Sequence, residues 1–428
     1  PSEEELWTAY EKLDYDKMGE EAYHKAQEEL WDDFDARSRA YSDAVKALRG
    51  EGVDKTMTPA LLGYSTKTVS KLLGGEEAAN VVYSPANLYL ALSMLTETVD
   101  GETRAQLLDL LGDEETVRTT ANAIWRSLYT DSANSKTLLA NSLWLSEGQV
   151  YKTETVERLA NDYYASVFSA PMGTGDTNKA VQAWLNTNTG GLLADAAKNI
   201  ETKPETVMLL LSTLYFKDQW RDEFYASDTR EDTFTAADGI AQRADFMHKT
   251  EDRASYVRGE GYTVAQLSFR GGERMIFLLP DEGTALTPLL RGEAALADLF
   301  TDVYDNDEAQ TAKLVWSVPK FDVSSDLELT KAMESIGVTD VFDPDRADFS
   351  PLADFDEPAA VTQVQHAARV KIDEEGCEAA AFTAIGVAES AMPEDLPVVE
   401  MELDRPFAFA ITGADGLPLF VGAVNTME

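Results

Sequence analysis

The apolar residues of this chain change their spacing along its length, and that change narrows the folds open to it more than any other feature. Ser65 to Leu73, Pro85 to Thr96 and Thr103 to Leu111 read as helical stretches. Val207 to Phe216, Val264 to Phe269, Met275 to Leu279 and Leu314 to Val318 are instead dense apolar runs of strand length. No repeat of about 20 to 50 residues is present, and no regular alternation of strand and helix suggests a doubly wound sheet. Helices first and strands later predict an α+β architecture built as one large domain.

Ahead of that domain lies a different kind of segment. Between Glu3 and Gly50 the chain is rich in Glu, Asp, Lys and Ala, with Leu6, Trp7, Tyr10, Leu13, Met18, Tyr23, Leu30, Trp31, Phe34 and Tyr41 spaced mostly three or four apart. One or two amphipathic helices are predicted, packed on the main domain or on a neighbour, or held as a docking arm. Gly50, Gly52 and Pro59 punctuate a linker. The predicted division is an acidic helical extension over residues 1–55 and a main domain over 56–428.

Charge limits the partners. The chain carries 77 acidic and 36 basic residues, a net charge of -41. Such a field repels phosphate backbones and anionic headgroups, so nucleic acid and membrane surfaces are poor partners, neither is expected, and cationic proteins are better ones. No segment approaches the ~20 apolar residues of a membrane span. The start at Pro1 leads to the expectation of a trimmed leader and an extracellular or cell-surface location.

The sequence offers little catalytic chemistry. Cys377 is the single cysteine, so neither an internal disulfide nor a cysteine zinc site is available. His24, His248 and His366 are too scattered to nominate a triad. No HExxH is present, and Gly173 to Lys179, GTGDTNK, reads as a turn rather than a phosphate loop. The expectation is a protein that is not an enzyme and uses neither metal nor cofactor.

The most specific segment follows Val370. Gly376 supplies backbone freedom at a charged strand end. After it, Cys377, Ala379, Ala381, Thr383, Ile385 and Val387 form one alternate set, all small or apolar, while Glu378, Ala380, Phe382, Ala384, Gly386 and Ala388 form the other. A period of two with one buriable face describes a strand. Whether that strand is an ordinary core element or an exposed loop in one state and a strand in another is left open by the pattern.

Blocks along residues 58–428 resemble the serpins, in the order that family keeps. They are NVVYSPANLYLALSMLTETVDGETRAQLLDLLG from Asn80, NSLWLSEG from Asn141, TLYFKDQWRDEF from Thr213, FMHKT from Phe246 and MIFLLPDEG from Met275. VPKFDVSSDLELTKAMESIGVTDVFDPDRADFSPL from Val318, MELDRPFAFAIT from Met401 and PLFVGAVN from Pro418 complete the match. The resemblance implies a serpin α+β fold, with helices packed around three β-sheets and an exposed reactive-centre loop over about residues 374–400. EEGCEAAAFT is similar to the hinge of inhibitory members, which assigns the hinge to Glu374, Glu375, Gly376, Cys377, Glu378, Ala379, Ala380, Ala381, Phe382 and Thr383. Cys377 stands where Thr or Ser is usual, and Phe382 where Ala is usual.

Further roles follow from the same resemblance. Ser84, Asn87, Ser212 and His366 map to the shutter of the central sheet, with the Asn and Ser types of Asn87 and Ser212 exchanged relative to the common pattern. The expectation is that Asn87 supplies the amide and Ser212 the hydroxyl of one network around His366. Trp220, Lys320 and Glu374 map to the breach, with Lys320 and Glu374 as an ion pair. The implied function is suicide inhibition: a protease attacks the loop, forms a covalent acyl complex, and is trapped as the loop inserts into the central sheet. The implied inhibitor is a monomer.

Counting from Gly376 places the reactive bond at Ser390–Ala391, whereas counting back from Pro406 gives a bond near Asp395–Leu396. The insertion length favours the first. No Lys or Arg lies between Ile372 and Asp404, which argues against trypsin-like targets, and the small residues around the bond suit elastase-like or subtilisin-like serine proteases. The alternative is a serpin fold without inhibition, serving storage, transport or chaperoning.

Overall fold

The computed structural model describes residues 8–10, 12–13, 15–49, 58–75, 79–132, 135–362, 364–377, 396–413 and 415–427. Two compact units are present, Pro1–Gly52 and Val53–Glu428. In the first, helix Glu20–Arg49 runs for 30 residues and carries Lys25–Glu29 and Asp33–Arg37 pairs one turn apart, with Trp31 set edge-on to Phe34.

The second unit is built on two sheets. A seven-stranded sheet contains β2 (Thr130–Asp131), β3 (Lys136–Ser146), β4 (Ala165–Ala170), β5 (Met208–Gln219), β11 (Phe321–Glu328), β12 (Gln365–Ile372) and β13 (Gly376–Cys377). A nine-stranded sheet contains β1 (Val81–Tyr83), β6 (Arg230–Thr235), β7 (Ala241–Gly259), β8 (Tyr262–Ser268), β9 (Arg274–Pro280), β10 (Gln310–Pro319), β14 (Val398–Glu402), β15 (Phe407–Thr412) and β16 (Pro418–Val424). The three sheets implied by the resemblance are thus two continuous ladders among the described residues. The reason is the 19-residue β7, which pairs with β6 and β10 along most of its length and with β8 at its end.

Helix Pro85–Thr96 is apolar on all sides, as a helix enclosed by other elements must be, and every residue in it except Ala91 is buried. Ser84 caps it, accepting from the Asn87 amide, and Pro85 starts it where no intrahelical donor is lost. The seven-stranded sheet buries both faces. Leu214, Phe216, Ala368, Val370, Ile372 and Cys377 point into the main core, while Leu211 and Trp144 pack with Val181 and Leu185 of helix Gly175–Asn188 on the other side.

Two expectations need correction. Strands β1, β3 and β4 lie among the early helices, so the chain does not run helices first and strands later. β3, KTLLANSLWLS, mixes polar residues into its apolar run, and it is a strand because it pairs with β4 on one edge and β5 on the other, a tertiary fact that periodicity does not carry. The stretch Gly173 to Lys179 turns only at Gly173, with φ 78°, and then opens helix Gly175–Asn188 under a Thr174 cap.

Candidate functional site at the hinge of the central sheet

The strand order β11–β12–β13–β5–β3–β2 puts two hinge residues between two long strands. β13 runs antiparallel to both neighbours, pairing Cys377 with Ile372 of β12 and with Asp218 of β5, and Gly376 with Gln219. Among the described residues β12 and β5 form no ladder with each other. Glu378, Ala379, Ala380, Ala381, Phe382, Thr383, Ser390 and Ala391 lie outside the described residues.

A tight turn delivers the chain to that position. Asp373 Oδ1 accepts from the Glu375 and Gly376 amides at 3.0 and 3.4 Å, and the Asp373 amide donates to the Gly376 carbonyl at 3.0 Å. Glycine is required at 376 by proximity, because a Cβ there would sit 2.1 Å from the Asp218 carbonyl oxygen. Cys377 is 3% exposed, so the side chain after the hinge is already buried.

The breach residues converge on the same turn. Trp220 is fully buried, stacks on Phe269 with centroids 4.5 Å apart, and donates from Nε1 to the Asp373 carbonyl at 2.9 Å. Its amide donates to the Glu375 carbonyl at 2.9 Å, and the Phe224 amide to the Glu374 carbonyl at 3.0 Å. Lys320 Nζ lies 2.9 Å from Glu374 Oε2, and Thr229 Oγ1 donates to Glu374 Oε1 at 2.8 Å. Burial pushes the Glu374 carboxyl up, but Lys320 and Thr229 together hold it below its usual range. Glu375 goes the other way, raised by burial and then by the charges of Asp373, Glu223 and Glu374.

The four shutter residues are brought together, in an arrangement that differs from the expected one. The Ser84 amide donates to His366 Nε2 at 3.0 Å, the Asn87 amide to Ser84 Oγ at 3.1 Å, and Asn87 Nδ2 to the Ser212 carbonyl at 3.1 Å. Asn87 therefore supplies its amide as expected, but Ser212 contributes its backbone carbonyl. Its hydroxyl is buried without a hydrogen-bond partner, which corrects the role assigned to it. The main chain wins because β5 presents a carbonyl to the helix at that point. Burial lowers the His366 pKa to about 4, so the ring is neutral and its Nε2 is free to accept. Tyr83 packs edge-on to His366 at 6.0 Å and shares a 2.8 Å hydrogen bond with Thr68. Tyr83 and Thr68 were not singled out from the sequence, and no local pattern distinguishes them from other core residues.

His24 contacts Gln27 within the first unit, and His248 bridges the Asp228 carbonyl and Ser317 Oγ, at 3.0 and 3.1 Å. Neither approaches His366 in these contacts. Among the described residues no group of three or more His, Cys, Asp or Glu is placed to hold a metal ion, and no helix is long and apolar enough to cross a membrane.

These features define an α+β protein whose central sheet receives the first residues of a long following segment between two parallel strands. The chain belongs to the serpin family: the model for Serpin (serine protease inhibitor) matches residues 62–427. It is 28% identical over 363 residues to Serpin-Z1B of Triticum aestivum, covering 81% of this chain and 90% of that protein. It is 26% identical over 374 residues to Alpha-1-antiproteinase of Rattus norvegicus, covering 85% and 87%. Among solved structures, the native state of the thermophilic serpin tengpin aligns with a TM-score of 0.78 at 26% identity, over 88% of this chain and 95% of that one.

Proposed function

We propose that this serpin inhibits serine proteases as a suicide substrate, with Ser390–Ala391 as the reactive bond and elastase-like or subtilisin-like enzymes as targets. The observation that carries the reading is the seat of β13. Its register, continued, would set Ala379, Ala381 and Thr383 opposite Val370, Ala368 and His366 of β12, and opposite Phe216, Leu214 and Ser212 of β5. That is the small-residue set, and it would join the face already buried in the main core. Thr383 would meet the partnerless Ser212 hydroxyl beside His366.

The energetics support the same reading. β12 offers eight residues and β5 twelve for pairing. At ~1 kcal/mol net for each ladder bond, plus burial of small side chains, insertion is worth on the order of 10 to 20 kcal/mol. Such a pull can displace a protease's catalytic groups, and a ~1 Å misplacement costs ~100-fold in rate. The acyl complex then persists. The inhibitor needs no catalytic residue, acts as a monomer, and belongs outside the cell or on its surface, where such proteases work.

Incubation with an elastase-like protease tests this directly. The expected result is a complex that survives SDS and a released fragment beginning at Ala391, identified by its mass. Cleavage that leaves the protease fully active would instead identify a serpin without inhibition.

A further inference from the structure

Asp218, Gln219 and Trp220 hold the hinge on one edge and the turn from Phe269 to Glu273 on the other. On the hinge side they pair with Cys377 and Gly376 and reach the Glu375 carbonyl. On the other side the Arg270 amide donates to the Gln219 carbonyl at 2.9 Å, and Trp220 bridges Phe269. The Gly271 amide donates to Asp218 Oδ2 at 2.8 Å, and the Gln219 amide to Asp218 Oδ1 at 2.7 Å.

Three oxygens converge beside Gly271. A Cβ there would lie 2.4 Å from Glu273 Oε2, 2.6 Å from Asp218 Oδ2 and 2.8 Å from Ser135 Oγ. Asp218 is fully buried, and Glu273 and Ser135 are 7% and 8% exposed. Glu273 Oε2 and Ser135 Oγ have no hydrogen-bond partner. Two buried carboxylates at such proximity cannot both carry charge without strong repulsion, so something cationic must lie between them. A calcium ion takes six to eight oxygens, and three converge here. A proton fits.

We propose that Asp218 and Glu273 share one proton, and that its loss to solvent as the pH rises loosens the seat of the hinge strand β13. Once both carboxylates are charged, they push β5 and the Gly271 turn apart. Because the Asp218 main chain is also the ladder partner of Cys377, and Gly376 packs directly on its carbonyl, that displacement reaches the hinge. Burial, reinforced by the charge of Glu273, pushes the Asp218 carboxyl up to about 7, which places the transition near neutrality. Among the described residues, the other ionisable groups on the surrounding elements include Lys217 on β5, Lys136 on β3, Asp131 on β2, Arg270 in the turn, and Asp373, Glu374, Glu375 and Cys377 at the hinge. Lys136 is paired with Asp131, Arg270 with Glu223, and Lys217 acts on Glu375.

The inference concerns the hinge whether or not the protein inhibits, and its test uses no protease. Infrared spectra of the full chain from pH 5 to 9 should show the carbonyl stretch of an un-ionised buried carboxyl that disappears near pH 7. Asp218→Asn and Glu273→Gln should each lack it, since an amide at either position donates to the remaining carboxylate at every pH. Hydrogen exchange of the β13 amides, expressed as the ratio of wild type to Asp218→Asn at the same pH, should rise about tenfold between pH 6 and 8. Identical profiles in wild type and both variants would overturn the proposal. So would a pH effect in the wild type that added calcium abolishes, because the pair would then be a cation site.

Discussion

At residue 377 any side chain must be accommodated inside the sheet, because Cys377 is buried. Cys377 pairs with Ile372 and Asp218 inside the sheet, so an arginine there must either lose its hydration in a buried position or pull β13 out of the sheet. If the protein inhibits as proposed, Cys377→Arg is expected to shift it toward behaving as a substrate, read as a rise in the number of its molecules consumed per protease inactivated. His366 gives a pH prediction of definite sign. Its folded pKa of about 4 lies below the ordinary ~6.5, so between these values the unfolded chain binds a proton that the folded one does not. The stability it confers is complete above pH ~6.5 and is lost as the pH falls toward 4, on the order of 3 kcal/mol. Urea midpoints at pH 4.5 and 7 should converge in His366→Gln. Asp218 acts in the opposite sense: its raised pKa means that stability declines as the pH rises toward 7.

Strands β12 and β5 set the rules for whatever enters between them. Their register assigns each incoming residue a pair of neighbours, and the orphaned Ser212 hydroxyl marks where one of those neighbours waits. Burying a hydroxyl without a partner costs about 1 to 3 kcal/mol, so Ser212→Ala should leave the uncleaved protein as stable or slightly more stable. If the loop inserts in the proposed register, the same substitution in the cleaved form would remove a bond to Thr383 and should lower the thermal midpoint. Comparing wild type and Ser212→Ala before and after loop cleavage by calorimetry checks the register. A loss of the same size in both forms would count against it.

Over the whole molecule, charge governs encounter. A net charge of -41 attracts basic proteases from a distance, and salt screens that attraction. The second-order inhibition rate against a basic protease is expected to fall about tenfold between ~0.02 and ~0.5 M salt, whereas that against an acidic protease should rise or stay level. Stopped assays of residual protease activity at each salt concentration provide the measurement.

Periods of three to four and of two, a glycine at a charged strand end and a run of small alternate residues are local signals. They made helix Pro85–Thr96 and strands β5, β8, β9 and β10 legible in the sequence. The ordered serpin-like blocks made the family legible as well. What tertiary structure alone decided are meetings between distant segments. Ser84 and His366 are 282 positions apart, and which atom of Ser212 joins their network depends on how β5 is rotated against a helix. Asp218 looked like one acid among 77 until β5 and the Gly271 turn placed it against Glu273. A side chain's type is written at its own position, but its charge state and partners are set by neighbours that only the folded chain supplies.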